Sequence, residues 1–408
     1  MTISLALPRV RARLTVLERL FVLAAVVAPI DLLLGGSFTV YDFLLLVVFA
    51  GVLLSGRPLV MPRFMAVPVL VFIGAALVST VRSPQPLESL EQIMQFVFIF
   101  FVQIPVTLAI ARNRRVIHAT VIALIVGSLL GLSVSLAIGH AGGAGRIVAF
   151  FSDNPNRLGY PTSYLLPFVV YYARRAWRSG WKVLTILIGG FVSYVFIWAL
   201  AASASRSASL ALMVTLLVLV TRPPLVLRRT ITSLVIVATA MTALWFAVNS
   251  SGVLPATLSE RIDRTLGGDE DLVSDRSRLA RAGIDSFMAS PFVGTGLDNF
   301  RFVATDFLST ATDQLPHNLW IQFLAQIGLI GTVAFALLIL RWFINLFRMY
   351  LHEVKESDHE MLGWAFIASM ASVMTIFLFV PLMIHRHYWL LFALGAALVR
   401  LRADEEGL

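Results

Sequence analysis

Residues 116–138 read VIHATVIALIVGSLLGLSVSLAI and contain no Asp, Glu, Lys or Arg. As an α-helix at 1.5 Å per residue, this run would extend for roughly 34 Å. The hydrocarbon core of a bilayer is about 30 Å thick and takes about 20 apolar residues to cross. The run therefore predicts a membrane-spanning helix, and other uncharged runs of similar length predict further spans.

Similar uncharged runs recur along the 408 residues, which are 58% hydrophobic and only 13% charged. Soluble domains have about 25% charged residues, so a water-soluble enzyme is excluded. We predict an all-α integral membrane protein with about twelve transmembrane helices, the first of them retained. The predicted spans lie near 14–34, 38–54, 64–80, 92–110, 116–138, 158–173, 183–202, 207–221, 231–248, 318–340, 361–380 and 387–399.

Basic residues between these spans fall mainly in alternate loops. The richer loops hold Arg57 and Arg63, Arg112 to Arg115, Arg174 to Lys182, Arg222 to Arg229, and Arg341 to Lys355. The opposite short loops hold only Arg82, Arg146, Arg157, Arg206 and Arg386. The positive-inside rule then places both termini in the cytoplasm. The net charge of +9 has this origin, and no nucleic-acid partner is expected.

One large segment, residues 249–316, lies on the outer side and separates spans 1–248 from spans 317–408. It holds ten acidic residues and six Arg. Within it, Ser274 is a candidate N-cap for a helix over 275–289, which Pro291 and Gly294 would end. Helical spacing puts Arg276 on the face of Ala280 and Gly283, and Arg278 on the other face. Arg276 would bind an anion such as phosphate, or pair with a carboxylate of the loop.

Two other residues on the outer side carry candidate chemistry. His317 follows Pro316 at the start of the tenth span, where the positive helix end favours a neutral imidazole. It would be a base, or an interfacial anchor. Arg206 lies between two spans, where charge is expensive, so it would serve a site or reach the headgroups. Gly328 and Gly331 follow on the face of His317 and would allow close helix packing.

Several ordered motifs resemble one family. His317-Asn318, nine residues and Gly328-Leu329-Ile330-Gly331 are similar to the His-Asn-x9-Gly-x-x-Gly signature of the O-antigen ligase and O-antigen polymerase superfamily. Three further stretches resemble the family in order, and the resemblance covers residues 140–400. They are Asn154-Pro155-Asn156, Ser205-Arg206-Ser207 and Pro291-Phe292-Val293-Gly294-Thr295-Gly296.

The resemblance implies a metal-independent glycosyltransferase of the bacterial inner membrane, with no cofactor and a periplasmic active site. Its donor would be a glycan linked to undecaprenyl diphosphate. The acceptor would be lipid A-core for a ligase, toward which the motif spacing points, or a second lipid-linked glycan for a polymerase. No protein partner follows from it.

The family's residues carry over onto this sequence as diphosphate-binding Arg206 and Arg276 and the general base His317. A family Trp is replaced by Ala280, which keeps Arg278 as a competitor of Arg276. Asn318, Arg157, Gly328 and Gly331 would support the site.

Two alternatives come from other classes. A transporter would also have many spans, but no clear internal repeat is present. A metal site at His385 and His387 lacks a carboxylate partner, and the missing cysteines exclude thiolate ligands. These histidines are expected to anchor the last span at its outer edge, with Arg386 facing the headgroups.

Overall fold

The structure is a computed structural model. It describes the chain apart from residues 1–12, 36, 139–153, 155, 204, 222–269, 307, 309–314, 353–357, 381–383 and 407–408. The predicted ninth span, 231–248, and the beginning of the predicted outer loop therefore lie outside the described residues.

Helices account for most of the described chain, as predicted. They are α1 (Val16–Val27), α2 (Val40–Leu54), α3 (Arg63–Thr80), α4 (Pro86–Val97), α5 (Ile104–Ile110), α6 (Arg114–Ile138), α7 (Asn156–Arg178), α8 (Lys182–Ser203), α9 (Arg206–Val220), α10 (Glu270–Ala289), α11 (Phe300–Val303), α12 (Leu319–His352), α13 (Asp358–Phe377) and α14 (Arg386–Glu406). A 3-10 turn, Ala304–Asp306, follows α11.

A short hairpin interrupts the helical pattern between α1 and α2. Strands β1 (Leu33–Gly35) and β2 (Phe38–Thr39) pair antiparallel, with Leu33 opposite Thr39. Thr39 then caps α2, because its hydroxyl accepts a hydrogen bond from the amide of Asp42 while the Asp42 carboxylate accepts one from the amide of Thr39. Reciprocal capping satisfies two otherwise unpaired amides. The predicted span from residue 38 therefore begins with a strand.

Six helices of the described part are long and apolar enough to cross a membrane. They are Arg63–Thr80, Pro86–Ile110, Arg114–Ile138, Lys182–Ser203, Leu319–Leu351 and Glu360–Phe377. The helices Val40–Leu54 and Arg206–Val220 are apolar but shorter. The total of twelve spans stays a prediction.

The span Pro86–Ile110 is irregular in its middle. Residues Phe98–Gln103 form a π-helix between α4 and α5. A π segment rotates the side chains that follow it, and such segments are frequent at functional sites. Here Gln103 is buried and its amide donates a 2.6 Å hydrogen bond to the carbonyl of Arg386. The π segment thus joins this span to the beginning of α14.

The helices pack around a centre rich in aromatic rings. Helix α12 packs on α3, and α13 packs on α7 and α9. The Phe72 ring meets Phe96, Phe100 and Phe323 with centroids 5.0 to 5.9 Å apart. Lipid tails are as apolar as these side chains, so close packing rather than water exclusion holds such a bundle together.

Candidate functional site

Arg206 is the first residue of α9. The preceding residue, Ser205, caps this helix, because its hydroxyl accepts a 3.3 Å hydrogen bond from the amide of Ala208. A helix N-terminus carries a partial positive charge and unpaired amides, which favour a bound anion. The Arg206 side chain is exposed at this end. Its neighbour Ser207 is linked to Tyr160 of α7 by a 3.2 Å hydroxyl contact.

Arg276 lies on α10, close to Arg206. Helix α10 begins at Glu270, so the predicted N-cap at Ser274 is wrong and Ser274 lies inside the helix. Leu279 and Gly283, three and seven residues after Arg276 on the same face of α10, are buried. Partial burial lowers the pKa of Arg276 and the positive charge of Arg206 lowers it further, while Tyr160 raises it. The guanidinium groups of Arg206 and Arg276 are therefore close enough for their positive charges to interact.

The expected alternative for Arg276 was an ion pair with a loop carboxylate. Among the described residues, no carboxylate forms an ion pair with Arg276. Arg276 and Arg278, two residues apart on this helix, both have exposed side chains. It is Arg276 whose charge acts on His317. The choice of Arg276 over Arg278 as the loop residue of the site stays a prediction, which this electrostatic interaction supports.

His317 lies immediately before α12 in a strained conformation. Its φ angle is 53°, a left-handed value that few residues other than Gly adopt. Such conformations cost about 1–3 kcal/mol and cluster at functional sites. The side chain is half-buried. Burial lowers the pKa of His317, and the charge of Arg276 lowers it further. A neutral ring, able to accept a proton, is therefore favoured at pH 7.

Asn318 fixes where the helix begins. Its side-chain oxygen accepts hydrogen bonds from the amides of Trp320 (2.9 Å) and Ile321 (3.1 Å). Asn318 is therefore the N-cap of α12, and Pro316 lies before the helix rather than in its first turn. Pro316 and Ile321 pack on Gly283 of α10, where a Cβ would lie 2.5 Å from an Ile321 methyl group. This close approach holds His317 beside the helix that carries Arg276.

Gly328 does not continue α12 as a regular helix. Its φ of 66° and ψ of −173° make a kink, so the predicted common face of His317, Gly328 and Gly331 on one straight helix is wrong. The stretch 291–296 fills the break. Thr295 and Gly296 donate amide hydrogen bonds to the carbonyls of Ala325 (3.1 Å) and Gln326 (2.9 Å), and Leu329 donates one to Pro291 (2.8 Å).

Gly331 is buried one turn beyond the kink. A Cβ there would lie 2.7 Å from the end of the Ile327 side chain. Gly331 therefore serves the packing of α12 around the kink.

Arg157 lies in the first turn of α7, in a second polar cluster beside the arginine pair. Its guanidinium is 3.5 Å from the Asp31 carboxylate. The Asp31 carboxylate is also 2.5 Å from Nδ1 of His385. Tyr160, one turn along α7, joins the two regions, because it contacts Ser207 and its hydroxyl influences Arg276. The structure thus groups Arg206, Arg276 and His317, with Arg157 alongside them.

The prediction for the start of the last helix is wrong. His385, Arg386 and His387 are buried, with 5 to 7% of each residue exposed, so Arg386 does not face headgroups. Arg386 instead donates hydrogen bonds to both carboxylate oxygens of Asp42, at 2.8 and 3.2 Å. A fork-to-fork pair of this kind satisfies a charge that would be expensive in apolar surroundings.

Sequence reasoning missed Asp31, Asp42 and Tyr160. Asp31 and Asp42 could have been found because each is a single acidic residue next to an apolar run, and a charge in that position is usually functional or paired. Tyr160 lies one turn after Arg157, a spacing that places both on one face of α7. Among the described residues, no group of three His, Cys, Asp or Glu could hold a metal ion.

Comparison with known proteins gives one family match. Residues 191–336 match the model of the family described as O-antigen ligase. A search of the curated proteins found no match. The matched region runs from α8 into α12 and contains Arg206, Arg276 and His317, whereas Asp31, Arg157 and His385 lie outside it. Residues 191–336 are thus similar to the O-antigen ligase family, and the long apolar helices make the chain a multi-pass membrane protein.

Proposed function

We propose that the protein transfers a glycan from undecaprenyl diphosphate to a sugar hydroxyl of lipid A-core, at the periplasmic face of the bacterial inner membrane. The observation that carries this proposal is the grouping of Arg206, Arg276 and His317, which come from three separate elements. Two cations and a neutral base in one place suit a reaction that releases a diphosphate and removes a proton.

The two arginines would bind the leaving group. Like charges repel, so an anion that binds between Arg206 and Arg276 would be stabilised by both. A diphosphate supplies oxygens for both planar guanidinium groups, and the amides at the N-terminus of α9 add further donors. Preorganised cations of this kind stabilise charge that develops in the transition state. The pair therefore favours departure of the diphosphate.

His317 would be the general base. As the acceptor oxygen forms its bond to the anomeric carbon, the bond from that carbon to the phosphate oxygen breaks. The electron pair leaves with the diphosphate, and the hydroxyl proton passes to the imidazole. Arg276 and burial keep the ring neutral before the reaction. Because the displacement is direct, the product should have the inverted configuration at the anomeric carbon.

The acceptor separates two related functions. A ligase uses lipid A-core, whereas a polymerase uses a second lipid-linked glycan, and both need the same arginines and base. The spacing of His317-Asn318 to Gly328 and Gly331 favours the ligase, while the family match supports the ligase and polymerase family as a whole. Polymerase activity on O-antigen or exopolysaccharide is the second candidate. A transporter is disfavoured because the charged site lies at the helix ends.

Lipopolysaccharide from a deletion strain, separated on a gel, tests the choice. A ligase deletion should leave free core while finished polymer accumulates on undecaprenyl diphosphate. Restoring the gene should restore capped core, and the same gene with His317→Ala should not. Core that bears a single repeat would instead identify a polymerase. An unchanged lipopolysaccharide pattern would refute both.

A further inference from the structure

A polar cavity lies next to the arginine pair, where the beginnings of α7 and α14 meet the segment that follows α1. It has a volume of about 60 Å³. Its polar and aromatic lining includes Asp31, Arg157, Tyr160, Tyr164, His385 and His387. A second cavity of about 130 Å³ shares the wall formed by Asp31, Arg157 and His385. One set of polar groups therefore faces two adjoining spaces.

The charges of this wall are balanced. The Asp31 carboxylate lies between Nδ1 of His385 at 2.5 Å and the guanidinium of Arg157 at 3.5 Å. Asp31 itself has a left-handed φ of 56°. Strained backbone of this kind clusters at functional sites. Within the described part of the chain, Nε of Arg157 and Nδ1 of His387 are buried with no hydrogen-bond partner. Buried polar atoms without partners point to a missing ligand or water.

This chemistry fits the hydroxyl groups of a sugar better than other parts of a lipid-linked glycan. A phosphate would meet the Asp31 carboxylate, and a prenyl chain would leave the polar wall without partners. Sugar hydroxyls both donate and accept hydrogen bonds, so they match a carboxylate, a guanidinium and imidazole rings together. Tyr164 and His387 add flat faces, stacked with ring centroids 5.6 Å apart.

Tyr160 places the cavity beside the donor's phosphates. Its ring lines the cavity, while its hydroxyl is 3.2 Å from Ser207, the neighbour of Arg206. The sugar next to the diphosphate is bonded directly to it, so that sugar must lie within reach of Tyr160. The acceptor hydroxyl must instead lie beside His317, which lines neither of the two cavities.

We propose that Asp31, Arg157 and His385 form a subsite that binds the sugar attached to the donor's diphosphate. This inference rests on the proposed function. The smaller cavity would take a substituent such as a hydroxymethyl group, and the larger one more of the ring. The subsite would give the enzyme selectivity for its glycan, which the arginine pair alone cannot give.

Binding to the full-length protein in lipid nanodiscs tests the subsite with two probes. One probe is sugar-free undecaprenyl diphosphate, and the other is the lipid-linked glycan extracted from cells that produce this protein. Asp31→Asn removes a charged acceptor, so binding of the glycan-linked probe should weaken by about 10- to 100-fold. Tyr164→Phe keeps the ring and the fold, and should weaken that binding by up to about tenfold. Binding of the sugar-free probe should not change in either variant.

Asp404→Asn is the matched control, because Asp404 is in an exposed pair with Arg400 near the end of α14. It should bind both probes like the wild type. Equal losses for both probes in Asp31→Asn and Tyr164→Phe would overturn the subsite, as would unchanged binding of the glycan-linked probe. A raised KM for the acceptor alone would overturn the assignment to the donor. A wild-type protein that does not bind the sugar-free probe would instead refute the arginine pair itself.

Discussion

Gly294 and Gly328 lie where two backbone segments interlock, and neither position has room for a Cβ because the backbone of the other segment is too close. A Cβ on Gly294 would overlap the carbonyl of Gln326 and lie 2.6 Å from the amide nitrogen of Ile327. A Cβ on Gly328 would overlap the carbonyl of Phe292 and lie 2.8 Å from the amide nitrogen of Val293. Both have positive φ, 77° and 66°. This contact ties the end of α10 to α12, and so ties Arg276 to His317.

Gly328→Ala should therefore destabilise the protein and reduce transfer. With φ 66° and ψ −173°, Gly328 is in a region that is essentially restricted to Gly, so an Ala there costs about 1–3 kcal/mol, and the overlap with Phe292 adds to that. Thermal unfolding in nanodiscs and a transfer assay measure the two effects. Gly74→Ala in α3 is the control, since a Cβ there meets nothing within 4 Å. It should be neutral or stabilising by about 0.5–1 kcal/mol. Equal stability of Gly328→Ala and Gly74→Ala would contradict the interlock.

Arg206→Lys and Arg276→Lys should each abolish most transfer without lowering the amount of protein. Lysine keeps the charge but lacks the planar fork that binds two phosphate oxygens. Donor binding, measured with sugar-free undecaprenyl diphosphate, should weaken in both variants. Arg278→Lys is the matched control on the same helix and should be mild. A larger effect at Arg278 than at Arg276 would show that the wrong arginine of α10 has been assigned.

His317→Ala should keep donor binding and lose turnover by about 10²–10⁴-fold, the usual contribution of a general base. The pH profile gives a second measurement. The pKa of His317 is lowered from its ordinary 6.5, so the ring is neutral at pH 7 and becomes protonated only below 6.5. Wild-type kcat should fall as the pH drops below that value. If donor binding in His317→Ala falls as far as turnover, His317 has a binding or structural role instead.

Chelation should leave transfer intact. The proposed chemistry uses two guanidinium groups where many transferases use a divalent cation to neutralise a diphosphate. Activity of purified protein, assayed with and without EDTA, checks this expectation. Loss of activity in EDTA that one particular divalent ion restores would refute it.

Accessibility labels should report opposite sides of the membrane for residue 408 and for a site near residue 268. The alternation of basic loops predicts a cytoplasmic C-terminus and a periplasmic outer loop. Tagged protein in intact and permeabilised cells gives the measurement. Finding both labels on one side would also remove the periplasmic site, because Arg276 belongs to that loop.

The membrane class and most helix positions follow from the sequence alone, and the residues of the proposed transfer site were also chosen from it. Uncharged runs such as 116–138 are sufficient for this, because transfer into lipid depends on the composition of each segment. Helical spacing likewise favoured Arg276 over Arg278, since side-chain direction along one helix follows from local geometry. Short motifs placed His317-Asn318 at a helix start for the same reason, and Asn318 caps α12.

Contacts between residues that are distant in the sequence became known only from the folded structure. Asp31 and His385 are 354 residues apart in sequence, and Arg386 pairs with Asp42 across 344. No local pattern encodes such pairs, so His385 and Arg386 were wrongly expected at the lipid edge. The kink at Gly328 could not be predicted either, because residues 291–296 supply the hydrogen-bond partners that the broken helix lacks. A backbone can leave the helix inside a membrane protein only where another segment satisfies its polar groups, and that partner exists only in the fold.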